Sequence, residues 1–172
     1  VLGGSFGRTD LVGDLRLGTP DVYGQLTGTR AESDNYSDGN GNEVHSRYLR
    51  WSGNAALGWT PDERTRLELS GALSDGEAAY DDRMMDGTRF DRTAYTLKAE
   101  RRDLRPWLAS VEGMLYYNYV DHVMDNFSLR QPPMMRAINY PDRRTRGGRL
   151  AAELVPGAGF EITAGIDWMD NR

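Results

Sequence analysis

A histidine and a methionine separated by a single residue form the pair with the clearest potential for chemistry in this 172-residue sequence. His122 and Met124 flank a valine, and in a β-strand this spacing directs both side chains to the same face. An imidazole nitrogen and a thioether sulfur are soft metal ligands, and thioethers select copper, especially Cu(I), over magnesium, calcium or manganese. The pair therefore predicts a copper site. The alternative is chance packing of two neighbouring strand side chains.

Two methionine pairs occupy segments whose turn-forming and charged residues indicate loops. Met84 and Met85 lie between two aspartates, and Met134 and Met135 follow two prolines. Methionine is flexible, apolar and oxidisable, which makes exposed pairs unusual in loops. We expect these side chains to pack loop against loop, with metal ligation as the alternative.

Two further motifs do not support a site. Residues 38–43 begin like a calcium-binding loop, but Glu43 occupies the position of the required glycine and Leu49 that of the bidentate glutamate. Residues 3–7 match the G-x-S-x-G pattern of a nucleophile elbow, but no helix pattern follows and no partner triad is evident. We therefore predict a solvated loop at 38–43 and no enzymatic activity.

The composition bounds the class of protein. A net charge of -5, a pI near 5.1 and 21 basic residues scattered along the chain argue against a nucleic-acid-binding protein. The absence of cysteine excludes disulfides and cysteine-based metal motifs in this sequence. No apolar run approaches the roughly 18 residues that a transmembrane helix requires.

Apolar and polar residues alternate with period two over much of the chain, which is typical of strands with one apolar face. In residues 107–119 the odd positions are mainly apolar or aromatic, and the even positions are largely polar. The same alternation recurs in residues 49–59, 67–74 and 160–168. The polar positions mix serine, asparagine, glycine, glutamate and arginine, as the lumen of a large barrel does.

Aromatic side chains mark both ends of the apolar faces. Trp51 and Trp59 do so in one segment, and Trp107 and Tyr119 in another. Membrane-spanning barrels carry such aromatic girdles on both sides of an apolar band about 25 Å tall. Twelve residues at roughly 3.3 Å each, tilted by about 40°, span about 30 Å and fit this band with its girdles. The sequence therefore predicts a transmembrane β-barrel, with a soluble β-sandwich as the alternative.

The connections between the strands alternate in length. Short turns fall at residues 18–21, 60–63, 103–106 and 155–159, and long loops near 35–43, 80–91 and 124–143. Outer-membrane barrels combine short periplasmic turns with long external loops. This assignment predicts antiparallel up-and-down strands near residues 9–18, 21–34, 44–59, 65–79, 91–103, 106–124, 144–155 and 159–170. Both ends of the chain would then lie on the external side, so we expect an internal segment of a larger barrel.

Three segments resemble known receptor sequences. Residues 2–8 (LGGSFGR) resemble the first barrel loop of TonB-dependent outer-membrane receptors, and residues 36–41 (YSDGNG) resemble a later loop of that class. Residues 119–130 (YVDHVMDNFSLR) are similar to the copper receptor subfamily, in which a His-x-Met of the barrel joins a cysteine and a methionine of the plug. The resemblance implies that His122 and Met124 are the barrel's two copper ligands.

The resemblance further implies that residues 1–172 are part of a receptor barrel, without the N-terminal plug and the remaining strands. The whole protein would take up copper ions, or a copper complex, across the outer membrane of a Gram-negative bacterium. Its partners would be copper, outer-membrane lipid and the TonB complex, which acts through the plug and its TonB box. The alternatives are a receptor for a siderophore or another metal chelate, in which His122 and Met124 only line the wall, and a passive porin.

Overall fold

The computed structural model describes residues 1–157 and 159–172, in which regular structure consists of strands alone. Eight long strands form the wall: β2 (Thr9–Gly18), β3 (Val22–Ser33), β6 (Tyr48–Asp62), β7 (Thr65–Ala78), β8 (Asp86–Arg105), β9 (Leu108–Asp125), β11 (Asp142–Gly157) and β12 (Phe160–Asn171). Four short strands lie between or beside them: β1 (Leu2–Gly3), β4 (Tyr36–Ser37), β5 (Glu43–Val44) and β10 (Ile138–Asn139). Within the described residues, no helix is long and apolar enough to cross a membrane. Of the turn predicted at 155–159, Ala158 lies outside the described residues.

Every strand pairing is antiparallel, and each long strand lies beside the long strand that precedes it in the sequence. The sheet order is β1-β2-β3-β6-β7-β8-β9-β11-β12, with β10 added to β9, while β4 and β5 form a separate hairpin. This hairpin explains why β6 starts at residue 48 and not at 44 as predicted. The predicted all-β, antiparallel, up-and-down arrangement of about eight long strands is confirmed.

The two faces of the sheet differ in polarity, as the alternation predicts. On the polar face the carboxylate of Asp14 accepts hydrogen bonds from Gln25 and Thr27 of the neighbouring strand. The opposite face carries leucines that are more than half exposed: Leu26, Leu57, Leu69 and Leu115. Among the described residues the buried apolar side chains are Ala79 and Val123. So small a protein core beside so large an exposed apolar face agrees with contact to lipid.

Strand β8 begins five residues earlier than predicted, because its start pairs with the end of β9. Asp86 pairs with Asp125 and Gly87 with Met124, with an irregularity between Gly87 and Arg89. The two strands have 20 and 18 residues, the greatest lengths in the sheet. At roughly 3.3 Å per residue both exceed the apolar band of a membrane. The two strands therefore extend beyond it.

Candidate metal site at the loop end of β8 and β9

His122 lies near the loop end of β9, where its ring contacts that of Phe90 on β8. The two residues are register partners, their ring centroids are 4.6 Å apart and their planes are inclined by 36°. The backbone N–H of His122 donates to the carbonyl oxygen of Pro141 at 3.0 Å. An aromatic neighbour and the returning chain thus hold this histidine in place.

The Nε2 atom of His122 is buried and has no hydrogen-bond partner among the residues that the structure describes. Leaving a buried polar group unsatisfied costs about 1–3 kcal/mol, and native proteins rarely do so without a functional reason. A neutral imidazole nitrogen with a free lone pair is a common metal donor. The unpartnered Nε2 is therefore available to bind a metal ion or another group that this segment does not contain.

Met124 follows two residues later on the same face of β9. The extra residue in this part of the ladder, Thr88, belongs to β8, so β9 keeps its regular alternation between His122 and Met124. Met124 pairs with Gly87, at which any side chain would overlap the ring of Phe90. The glycine therefore allows Phe90 to cover its own strand and to contact the histidine. The predicted pair thus lies on one strand face beside an aromatic wall.

The loop methionines lie in a different environment. Met84, Met134 and Met135 are exposed, and Met85 is half-buried. The prediction that these side chains pack loop against loop is wrong for the three exposed methionines of this chain. Across residues 1–157 and 159–172, no three or more histidine, aspartate or glutamate side chains converge as a metal site.

Two buried carboxylates lie directly beside the histidine and methionine. Asp86 and Asp125 are register partners with relative exposures of 0% and 3%. Asp125 accepts hydrogen bonds from the backbone N–H groups of Phe127 and Ser128, at 3.0 and 2.7 Å, and from the Ser128 hydroxyl at 2.6 Å. These bonds fix the start of the following loop, so this carboxylate serves loop structure.

Asp86 is an anion held by the guanidinium of Arg130, the ring of His45 and a backbone N–H. Burial alone would raise the pKa of its carboxyl, but hydrogen bonds from Arg130, His45 and the backbone N–H of Tyr80 lower that pKa to about 2. Nothing in the sequence predicted a role for these residues or for Phe90. Arg130 and His45 are 44 and 41 residues from Asp86 in the chain, so no local spacing signals the cluster.

A solved structure relates this segment to a known protein. The chain matches the copper transporter OprC with a TM-score of 0.90 and 45% sequence identity over 97% of its own length. The chain is a barrel segment related to this copper transporter. It spans 27% of the length of OprC. No family model and no curated protein sequence matches the chain.

The match to OprC confirms two of the predictions made from the sequence. An identity of 45% together with a TM-score of 0.90 confirms the resemblance to a copper-transporting barrel and the assignment to a β-barrel segment. The neighbouring protein is a transporter, which agrees with the prediction of a protein that is not an enzyme.

Proposed function

We propose that this chain forms part of the barrel of an outer-membrane copper importer, with His122 and Met124 as two of the ligands that hold copper during uptake. The observation that carries the proposal is the buried Nε2 of His122, which has no partner in the part of the chain that the structure describes. It lies two residues from Met124 on the same strand face. The 45% identity to the copper transporter OprC over 97% of this chain supports it. Copper is the cargo here and not a resident cofactor.

Two soft ligands cannot hold copper tightly, so the whole protein has to add further donors. The resemblance to TonB-dependent copper receptors implies that these are a cysteine and a methionine of a plug inside the barrel. Remodelling of that plug through the TonB complex would break their bonds to copper and release the ion inward. Such a cycle binds and releases the metal without chemical conversion of a substrate, and we infer transport and not catalysis.

The copper content of the full-length protein, purified from copper-supplemented medium, tests the two ligands. His122→Ala and Met124→Ala each remove one metal bond and should weaken copper binding by roughly an order of magnitude or more. Met114→Ala is the matched control, because this methionine lies ten residues back on the same strand and face, opposite Arg149. It should retain the copper content of the unmodified protein.

The outcomes separate the proposal from its alternatives. If the double variant His122→Ala/Met124→Ala kept its full copper content, the pair would only line the wall, as in a receptor for a siderophore or another metal chelate, or in a passive porin. Met84→Ala and Met134→Ala should have smaller effects on retained copper, because exposed, flexible thioethers hold a metal less firmly.

Thiol labelling tests the location in the outer membrane of a Gram-negative cell. Cysteine in place of Gly39 or Met84, both exposed in long loops, should react with a membrane-impermeant maleimide on intact cells that make the full-length protein. Cysteine in place of Glu63, exposed in a tight turn, should react only after lysis. Gly87 is unsuitable for labelling because it is buried beneath Phe90. Reaction of both sets on intact cells would contradict the orientation.

A further inference from the structure

Three long connections at the outer end of the sheet meet at one buried carboxylate. These connections are residues 34–47, 79–85 and 126–141. His45 of the first and Arg130 of the third both contact Asp86, which directly follows the second. We call His45, Asp86 and Arg130 the loop clasp.

The carboxylate of Asp86 uses both of its oxygens. Arg130 donates from Nε to Oδ2 at 2.8 Å and from Nη2 to Oδ1 at 2.5 Å, the two-point geometry that suits guanidinium and carboxylate. His45 Nε2 contacts Oδ2 at 2.9 Å, and the backbone N–H of Tyr80 donates to Oδ1 at 2.9 Å. With a relative exposure of 0%, Asp86 depends on these donors and not on water.

Arg130 also binds the backbone of the 79–85 connection. Its Nη1 donates to the carbonyl oxygen of Arg83 at 2.8 Å, and its Nη2 donates to that of Tyr80 at 2.8 Å. One guanidinium therefore joins the third connection to both ends of the second. If Arg130 leaves, four hydrogen bonds are lost together.

The loop clasp lies directly beside the candidate metal ligands. Asp86 is followed by Gly87, the register partner of Met124, and Asp86 itself is the partner of Asp125. Asp125 in turn fixes the first residues of the 126–141 connection through Ser128. Opening of the clasp would therefore free the 126–141 connection, which leaves the strand end that carries both ligands, and would separate it from the other two connections.

We propose that the loop clasp is a positioning device that holds the three outer connections closed at the His122–Met124 site, so that copper exchanges with the outside only when the clasp opens. This inference rests on the proposed function. Asp86, Arg130 and His45 are positioning residues in it, because their donors and acceptors are already occupied by one another. The clasp would set the rate of copper exchange and leave the ligands unchanged.

The test is the release of Cu(I) from the copper-loaded, full-length protein to an excess of a membrane-impermeant Cu(I) chelator. Arg130→Met should accelerate release by roughly a hundredfold or more, as expected when a buried charge loses its partner. Copper bound per protein at saturation should not change.

Two further variants calibrate this result. Arg130→Lys keeps the charge but lacks the planar fork, so its release rate should lie between those of the unmodified protein and of Arg130→Met. Arg136→Met is the matched control, because Arg136 lies exposed in the same connection and its guanidinium lies over the ring of Phe127, away from the clasp.

Hydrogen exchange of the three connections, measured without copper, tests the clasp independently of the metal. Arg130→Met should accelerate exchange in residues 34–47 and 126–141 together. Faster hydrogen exchange with an unchanged copper release rate would overturn the positioning role, and unchanged hydrogen exchange would overturn the clasp itself.

Should Arg130→Met fail to fold, His45→Gln serves as the milder variant, and its copper release should be a few times faster than that of the unmodified protein. Full copper content in His122→Ala/Met124→Ala would refute the proposed function and this inference with it, whereas the exchange data would still show whether the clasp exists.

Discussion

Two aspartate–arginine pairs, one at each end of the sheet, reach the same pKa by different routes. Asp62, in the tight turn between β6 and β7, has a pKa of about 2 because Arg101 and neighbouring donors hydrogen-bond its exposed carboxylate. Asp86, at the loop end, also has a pKa of about 2, although its burial opposes the ionised form. Arg130 and its neighbouring donors have to outweigh that burial.

The comparison teaches that an equal pKa does not mean an equal structural role. Water can replace Arg101 at the exposed pair, so the turn does not depend on it. Water cannot reach Asp86, so the loss of Arg130 would leave a charge without a partner. The difference follows from the connections, because a two-residue turn is held by its own backbone. Connections of 14 and 16 residues need side chains to hold them together.

Removal of the carboxylate at each end is the sharpest test of this comparison. Asp86→Asn leaves Arg130 largely buried without a counter-charge and should cost about 3–5 kcal/mol in the free energy that keeps the outer connections closed. Asp62→Asn should produce no resolvable change. Native-state hydrogen exchange of the full-length protein measures both free energies.

A double variant separates the buried charge from the loop contacts. Asp86→Leu/Arg130→Leu removes both charges, so it should recover much of the stability that Asp86→Asn loses. A large loss in Asp62→Asn, or none in Asp86→Asn, would contradict the comparison between the two ends.

The sequence predicted the wall of this molecule far better than its outer connections. Period-two alternation fixes which side of a strand each residue faces. The leucine face, and the placement of His122 and Met124 on one face of their strand, therefore follow from the local pattern. The loop clasp depends on residues that are 41 and 44 positions apart and that meet only after three connections fold. Phe90 was not predicted for the same reason, because its role depends on contacts between distant residues. It requires the pairing of β8 with β9 and the glycine beneath its ring.

The wall between the two ends supplies the second prediction. Leu69→Arg places a charge on the exposed apolar face and should cost about 2–4 kcal/mol if it lies near the middle of the bilayer. Ser70→Arg, the neighbouring position on the polar face, should cost far less. Denaturant titration of the full-length protein in lipid bilayers measures both. Equal costs on the two faces would contradict the assignment of the leucine face to lipid.

Acidification should also distinguish the two ends of the sheet, and it has the smallest expected effect of the three predictions. The pKa of Asp86 lies below the unfolded value near 3.9, so its ionised form stabilises the closed connections above that pH, and this contribution is lost as the pH falls toward 2. The loss amounts to about 2 kcal/mol, and an acid-active protease should cut residues 126–141 faster across this range. Asp62 titrates over the same range, but its exposed turn should stay equally resistant to cleavage.

Asp125, whose pKa is also lowered, contributes to the stability of the same connection. The Asp86→Asn variant isolates the clasp, because its cleavage should already be fast at pH 5 and should rise less on acidification. If Asp86→Asn kept the full pH dependence, the titration would belong to Asp125 and not to the loop clasp.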